Sequence, residues 1–169
     1  MPLVGRNVRL RHATMADADV LAAILAEPGV ARWWGEWDRA RVTRDLLAAD
    51  PTGQVYAIEH VGRVVGSIQS DEETDPEYRH ANIDLFLGEG ARGRGLGPDA
   101  VRALAVHLID DGGHHRITID PAADNAAAIR AYEKVGFRAV GIMRRYQRLA
   151  GQDWVDGLLM DLLADELVR

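Results

Sequence analysis

The sequence predicts an α/β fold of the mixed (α+β) kind, a sheet with antiparallel and parallel neighbours flanked by about four helices. Three observations carry this expectation. Val55 to Glu59, Arg63 to Ser70 and Ala81 to Leu87 are successive β-rich runs, the first two separated by His60-Val61-Gly62, as in an antiparallel meander. Ala81 to Leu87, the glycine-rich stretch Gly88 to Gly97, the apolar stripe of Pro98 to Asp110 and the short run His115 to Asp120 form a β-α-β unit, whose crossover makes the flanking strands parallel. Phe137 to Gln147 and Trp154 to Leu162 read as a closing hairpin around Ala150-Gly151.

The remaining elements follow from periodicity and caps. Val4 to Arg11 alternates as a strand, with Val8 and Leu10 on one face and Arg9 and Arg11 on the other. Thr14, with Asp17 three residues on, opens a helix striped by Val20, Leu21, Ile24 and Leu25 that ends near Pro28-Gly29. Arg32-Trp33-Trp34-Gly35-Glu36-Trp37 reads as a linker or helix end, and Arg39 to Ala49 as a second helix stopped by a turn at Asp50-Pro51-Thr52-Gly53. Pro98 in the first turn suits a third helix, and Asp124 or Asn125 caps a fourth that runs through Tyr132 to Val135 and stops at Gly136.

At 169 residues the chain fits one domain, 1–169, with no repeat and no linker long enough to divide it. A formal charge of −6 argues against nucleic acid and anionic membrane as partners and favours a cationic one. No cysteine is present, which excludes disulfides, thiolate catalysis and cysteine-held metals. His107, His114 and His115 make no spaced metal set with carboxylates, so no metal is expected. Met1 to Arg6 runs straight into strand-like sequence, so neither a signal peptide nor a membrane span is expected, and the expected location is cytoplasmic.

Arg92-Gly93-Arg94-Gly95-Leu96-Gly97 sits between a strand and a helix, the context of a phosphate-cradling loop. Glycines let the backbone approach a pyrophosphate and turn N–H groups toward it, and the helix start adds unpaired donors. Arg92 and Arg94 can add charge-assisted bonds. The stretch lacks the Lys-Ser/Thr pair of a P-loop and the spacing of a dinucleotide-binding loop, which leaves a phosphate-bearing cofactor held mainly by backbone.

This loop resembles the pyrophosphate loop of the GNAT acyltransferase superfamily. Asp120-Pro121-Ala122-Ala123-Asp124-Asn125, with Ala128 to Phe137 after it, resembles that superfamily's second signature. Within it, Trp33-Trp34-Gly35, Glu73-Thr74-Asp75-Pro76 and Ile83-Asp84 resemble the aminoglycoside 6'-N-acetyltransferases, which extends the likeness over roughly the whole chain. The resemblance implies a twisted mixed sheet of six or seven strands, with acetyl-CoA lying between two splayed strands at Ala81 to Leu87 and His115 to Asp120.

The same resemblance assigns roles. Asp84 holds the substrate ammonium and takes its proton, since a protonated amine has no lone pair with which to attack a thioester. Tyr132 serves the departing thiolate, and Asp120 is a second amine-binding acid. Asp75 is singled out from the acidic run Asp71 to Glu77 by its match to the family's substrate segment, the rest reading as a solvated loop. Leu85, Phe86 and Leu87 offer backbone N–H groups to the thioester oxygen, and Arg92, Gly93, Arg94, Gly95, Leu96 and Gly97 hold the pyrophosphate. Asn125 touches the pantetheine arm or merely caps its helix; Trp33 and Trp34 either wall the acceptor site or plug the core.

The tail departs from the aminoglycoside group, because Met143 to Arg148 is basic where that group is acidic, though Asp153 or Asp156 can substitute. The expected activity is acetyl transfer from acetyl-CoA to a primary amine of an aminoglycoside-like polycation, in a ternary complex, by a monomer or homodimer. Two alternatives stand beside it: an acyltransferase for a peptide, polyamine or siderophore-type amine, and a non-catalytic CoA-binding regulatory module.

Overall fold

A computed structural model describes residues 1–48, 50 and 53–169. Among these, eight strands form one sheet in the order β1-β2-β3-β4-β5-β6-β8-β7. The strands are β1 (Leu3–Val4), β2 (Arg9–His12), β3 (Gly53–His60), β4 (Arg63–Glu73), β5 (His80–Leu87), β6 (Arg116–Ile119), β7 (Arg138–Gln147) and β8 (Val155–Leu163). Neighbours are antiparallel except β5 and β6, which are parallel, as the β-α-β reading requires. The helices are α1 (Ala18–Leu25), α2 (Pro28–Trp34), α3 (Arg39–Arg41, continuing as a π-turn over Val42–Leu46), α4 (Leu96–Asp110) and α5 (Ala126–Glu133).

Helices cover both faces of the sheet. Ala100, Val101, Leu104 and Leu108 of α4 pack with Ile68, Ile83, Ile117, Ile119, Met160 and Leu162, while Leu21, Leu25, Val30, Val42 and Leu46 of α1 to α3 form a second cluster around Phe86. Leu85 and Leu87 flank Phe86 in sequence and pack against the α4 cluster, the period-two alternation of a strand buried on both sides. Each fully buried leucine or isoleucine contributes roughly 1.5–3 kcal/mol through removal from water.

Three local expectations are corrected. The strand expected over Val4 to Arg11 is two antiparallel strands, which takes the sheet past six or seven. Gly5 N donates to Val8 O at 2.9 Å, and the turn is fixed by the buried carboxylate of Asp99, which accepts from Arg6 N (3.0 Å), Asn7 N (2.7 Å) and Val8 N (3.1 Å). The first helix stops at Leu25, and Pro28 opens a separate helix, because Glu27 is extended (φ −61°, ψ 131°) and a residue before proline is steered away from helical geometry. The helix expected over Arg39 to Ala49 turns into a π-turn, with Leu47 N donating to Val42 O. Ala49, and Pro51 and Thr52 of the expected Asp50 to Gly53 turn, lie outside the described residues.

Asp99→Ala leaves three amides near the start of α4 without their acceptor. The expected result is a loss of about 3 kcal/mol, a fall in Tm of roughly 6–12 °C for a chain of this size. A fall of less than about 2 °C in a thermal scan contradicts that role.

Candidate active site

β5 and β6 are paired only at Ala81↔Ile117 and Asn82↔Thr118. Beyond that point β5 continues to Leu87, while β6 ends at Ile119 and Asp120-Pro121 leads away; proline has no N–H with which to extend the ladder. The two strands therefore part, and the gap between them is lined by backbone groups of β5 that no strand satisfies.

Which amides face the gap follows from alternation. Gly88 N donates to Val65 O in β4 at 2.9 Å, whereas Leu85 N donates to the Asp84 carboxylate at 2.9 Å. Leu85 and Leu87 thus present N–H groups to the gap, and Phe86, paired with Ser67, turns its N–H into the ladder. Phe86 lies instead in the core, its ring 5.0 Å from that of Trp34.

At the open end of the gap the chain forms the glycine loop. Gly93 and Gly95 have φ of +70° and +74°, and a side chain at either would meet nothing within 4 Å, so the loop stands beside open space. Gly95 caps α4, whose Asp99 N donates to Gly95 O at 3.2 Å. The amides of Leu96 and Gly97 precede that bond and are available to an anion. These features fit a diphosphate held by main chain.

The two loop arginines are placed differently. Arg92 turns away, Nη2 donating to Gly29 O at 3.0 Å and Nε to Leu87 O at 3.3 Å. Glu89 accepts from Gly29 N and donates its own N–H to Glu27, so Arg92 and Glu89 clamp the loop to α2. Arg94 Nη2 donates to His60 Nε2 at 3.1 Å, while His60 Nδ1 donates to Asn7 O at 2.8 Å. Arg94 remains on the exposed side of the loop.

The polar floor lies on the sheet face that carries Phe86. Asp84 stands opposite Gln69, and Asn82 opposite Asp71, so these four side chains share a face. Thr118 Oγ1 donates to Asn82 Oδ1 at 3.1 Å, and Asp120 follows Thr118 by two residues. Burial, reinforced by the charges of Asp120 and Asp71 and opposed by the Leu85 N–H, pushes the Asp84 carboxyl up to about 7. Asp120 is also raised, by burial first, with the Tyr146 hydroxyl opposing and Asp71 adding to the rise. A carboxyl at about 7 can accept a proton at neutral pH.

Tyr132 projects from α5, whose cap is Asn125: its side chain accepts from Ala128 N at 3.2 Å. The hydroxyl is held protonated well above its ordinary range, by burial first and by the charges of Asp84 and Asp120. Asp84, Asp120 and Tyr132 are thereby brought together, with Leu85 and Leu87 beside them.

Other expected residues are not. Asp75 is exposed in the turn after β4, its Oδ1 accepting from Glu77 N at 2.9 Å. Trp33 and Trp34 differ by about 100° around α2. Trp34 packs on Phe86 and Trp37, while Trp33 lies under the Arg32 guanidinium at 4.6 Å. Trp34 is therefore the one set beside the strand that carries Asp84.

Sequence reasoning missed Asp71 and Tyr146. Asp71 was grouped with a solvated loop, but β4 extends to Glu73 and places it on the floor. Tyr146 reaches the floor from the other end, its hydroxyl 2.6 Å from Asp120 Oδ2. Arg144, Arg145 and Arg148 are exposed on the same hairpin. Among the described residues, no group of three or more His, Asp or Glu side chains is arranged to hold a metal, and no helix is long and apolar enough to cross a membrane.

Residues 7–138 match the family model described as an acetyltransferase (GNAT) domain. The chain is 34% identical over 155 residues to an aminoglycoside N(6')-acetyltransferase type 1 of Klebsiella pneumoniae, covering 80% of this chain and 76% of that protein. It is 32% identical over 147 residues to the N-alpha-acetyltransferase RimI of Mycobacterium tuberculosis, covering 86% and 88%. Among solved structures it resembles AAC(6')-Ib in complex with paromomycin and acetyl-CoA, with a TM-score of 0.80, 28% identity and 95% of each chain covered.

Proposed function

Because the chain belongs to the GNAT acetyltransferase family and is an enzyme that moves an acetyl group from acetyl-CoA to an amine, we propose that its acceptor is a primary amine on an aminoglycoside-like polycation. The observation that carries this reading is the convergence of Asp71, Asp84 and Asp120 on one floor where two strands part. Three carboxylates in one cleft select a substrate with several ammonium groups, by field and by discrete pairs. Trp34, beside Phe86, gives that cleft a flat apolar wall.

Each residue then has a task. The amides of Gly93 to Gly97 and the Arg94 side chain hold the diphosphate, and Leu85 and Leu87 direct N–H groups at the thioester oxygen. Acetyl-CoA supplies the thioester carbonyl that the amine attacks. Asp120 and Asp71 bind ammonium groups, Asp84 takes the proton that must leave the attacking nitrogen, and Tyr132 donates to the departing sulfur. Leu85 N–H is held by Asp84 in the free protein, so engagement of the oxygen releases the carboxylate to the amine.

A panel of kanamycin-like, polyamine and peptide amines with acetyl-CoA, read by free-thiol release, tests the acceptor. The expected order places the aminoglycosides first in kcat/KM by at least tenfold. The expected pH profile rises through about 7, because Asp84 accepts a proton only when ionised, and is flat above it. A second reading has its own support: Arg144, Arg145 and Arg148 stand on the hairpin that also carries Tyr146, where they disfavour a polycation and favour an acceptor with anionic groups, such as an acidic peptide. A kcat/KM higher for an acidic peptide amine than for kanamycin rejects the aminoglycoside assignment in favour of that one.

A further inference from the structure

The acidic floor is served by a side chain from two strands away. β7 is the edge strand, separated from β6 by β8, yet its Tyr146 hydroxyl donates to Asp120 at 2.6 Å. Three features make this reach possible. The β7–β8 register jumps from Met143↔Gly157 to Gln147↔Val155, so three residues of β7 stand opposite Asp156 alone, a bulge of the kind that re-aims a side chain. Inside it Arg145 has a φ of +49°, left-handed backbone that a non-glycine residue adopts only when its surroundings enforce it, and its N–H is gripped by Asp156 Oδ1 at 2.7 Å. Finally, the ring crosses β8 at Gly157, where a Cβ would stand 2.8 Å from Tyr146 Cδ1.

A tyrosine that remains 48% exposed needs none of this to pack. Backbone strain, a carboxylate clamp and a missing side chain are spent on the direction of one hydroxyl. We propose that Tyr146 is a positioning residue for amine acetylation: it holds Asp120 as the ionised carboxylate that receives the substrate ammonium, which leaves Asp84 to take the proton. This rests on the assignment of Asp84 and Asp120 to the acceptor site made above.

The chemistry requires such a device. Asp120 is faced by Asp71 from β4, Asp84 from β5, Tyr132 from α5 and Tyr146 from β7. Neighbouring carboxylates in a partly dry cleft do not both ionise easily, and a donor on one of them decides which keeps its charge. Tyr146 lowers the proton affinity of Asp120, and the Asp120 charge in turn raises that of Asp84. The Tyr146 hydroxyl is itself pushed up to about 12, first by this bond, so it stays a donor throughout the working range.

Tyr146→Phe keeps the ring over Gly157 and removes only the hydroxyl. Carboxyl carbon NMR of the free protein reads the Asp120 midpoint without any turnover, and steady-state kinetics read the rest. Expected are a higher Asp120 midpoint, because the hydroxyl that opposes its rise is gone, an acid limb of kcat/KM displaced the same way, and an amine KM raised roughly tenfold, with the acetyl-CoA KM unchanged within twofold. Gly157→Ala, which displaces the ring and keeps the hydroxyl, is expected to move the Asp120 midpoint in the same direction. An Asp120 midpoint identical in wild type and Tyr146→Phe overturns the proposal, and so does a moved midpoint with unchanged amine KM and acid limb. Failure of the underlying reading looks different: wild type inactive on every amine, or full turnover in Asp84→Asn.

Discussion

Asp84→Asn is expected to lower turnover by about two to four orders of magnitude, the range that a positioned proton acceptor contributes, while CoA binding stays within about twofold. Asparagine has nearly the same shape and can still accept from Leu85 N–H, so the loss reports the proton and not the packing. The rise of kcat/KM through about pH 7 disappears in the variant.

The same substitution carries a stability signature of opposite sign. The folded carboxyl sits at about 7, above its unfolded value near 4, so the folded state binds the proton more tightly. Its stabilising contribution is complete below about pH 4 and is lost as pH rises through 7. Relative to wild type, Asp84→Asn is therefore expected to gain Tm above pH 7 and to lose that gain toward pH 4. A variant that is inactive and also destabilised at pH 8 would mean that Asp84 serves the fold, and full turnover on the best amine removes the base assignment altogether.

Gly95→Val is expected to weaken acetyl-CoA affinity by about thirtyfold or more, measured by calorimetry or by KM. Gly95 has φ +74° at the cap of α4, and a β-branched residue there is strained by about 1–2 kcal/mol, so the chain relaxes away from the conformation that aims its amides outward. The space beside Gly95 is open, so the added side chain meets no protein and stands where a diphosphate must come close. Amine KM is expected to change little. Unaltered acetyl-CoA affinity in a folded Gly95→Val rejects the cradle.

The cofactor half of the site was legible in the chain because it is local. The turn at Gly93 to Gly97, the helix start that follows and the Asn125 cap depend on backbone conformations that neighbouring residue types specify, and the structure has each where the sequence indicated. The direction of Arg92 was not legible, because a guanidinium reaches farther than its loop: its acceptors, Gly29 and Leu87, lie on other elements. Asp75 lies off the floor for a complementary reason. A motif can point to an acidic segment, but only strand length decides which of its carboxylates stays on the sheet, and β4 ran far enough to select Asp71.

By itself the sequence determined that this is a mixed sheet with a β-α-β crossover and a glycine loop for a phosphate-bearing partner, which follow from residue type, period and nearest-neighbour caps; the carboxylate and the tyrosine expected to do chemistry came only from the family resemblance. Tertiary structure alone decided that β5 and β6 part after a two-residue pairing, that Asp84 is dried and surrounded enough to reach about 7, and that Tyr146 crosses a whole strand to meet Asp120. Proton affinity depends on burial and on charges brought in from distant parts of the chain, and no local pattern encodes either.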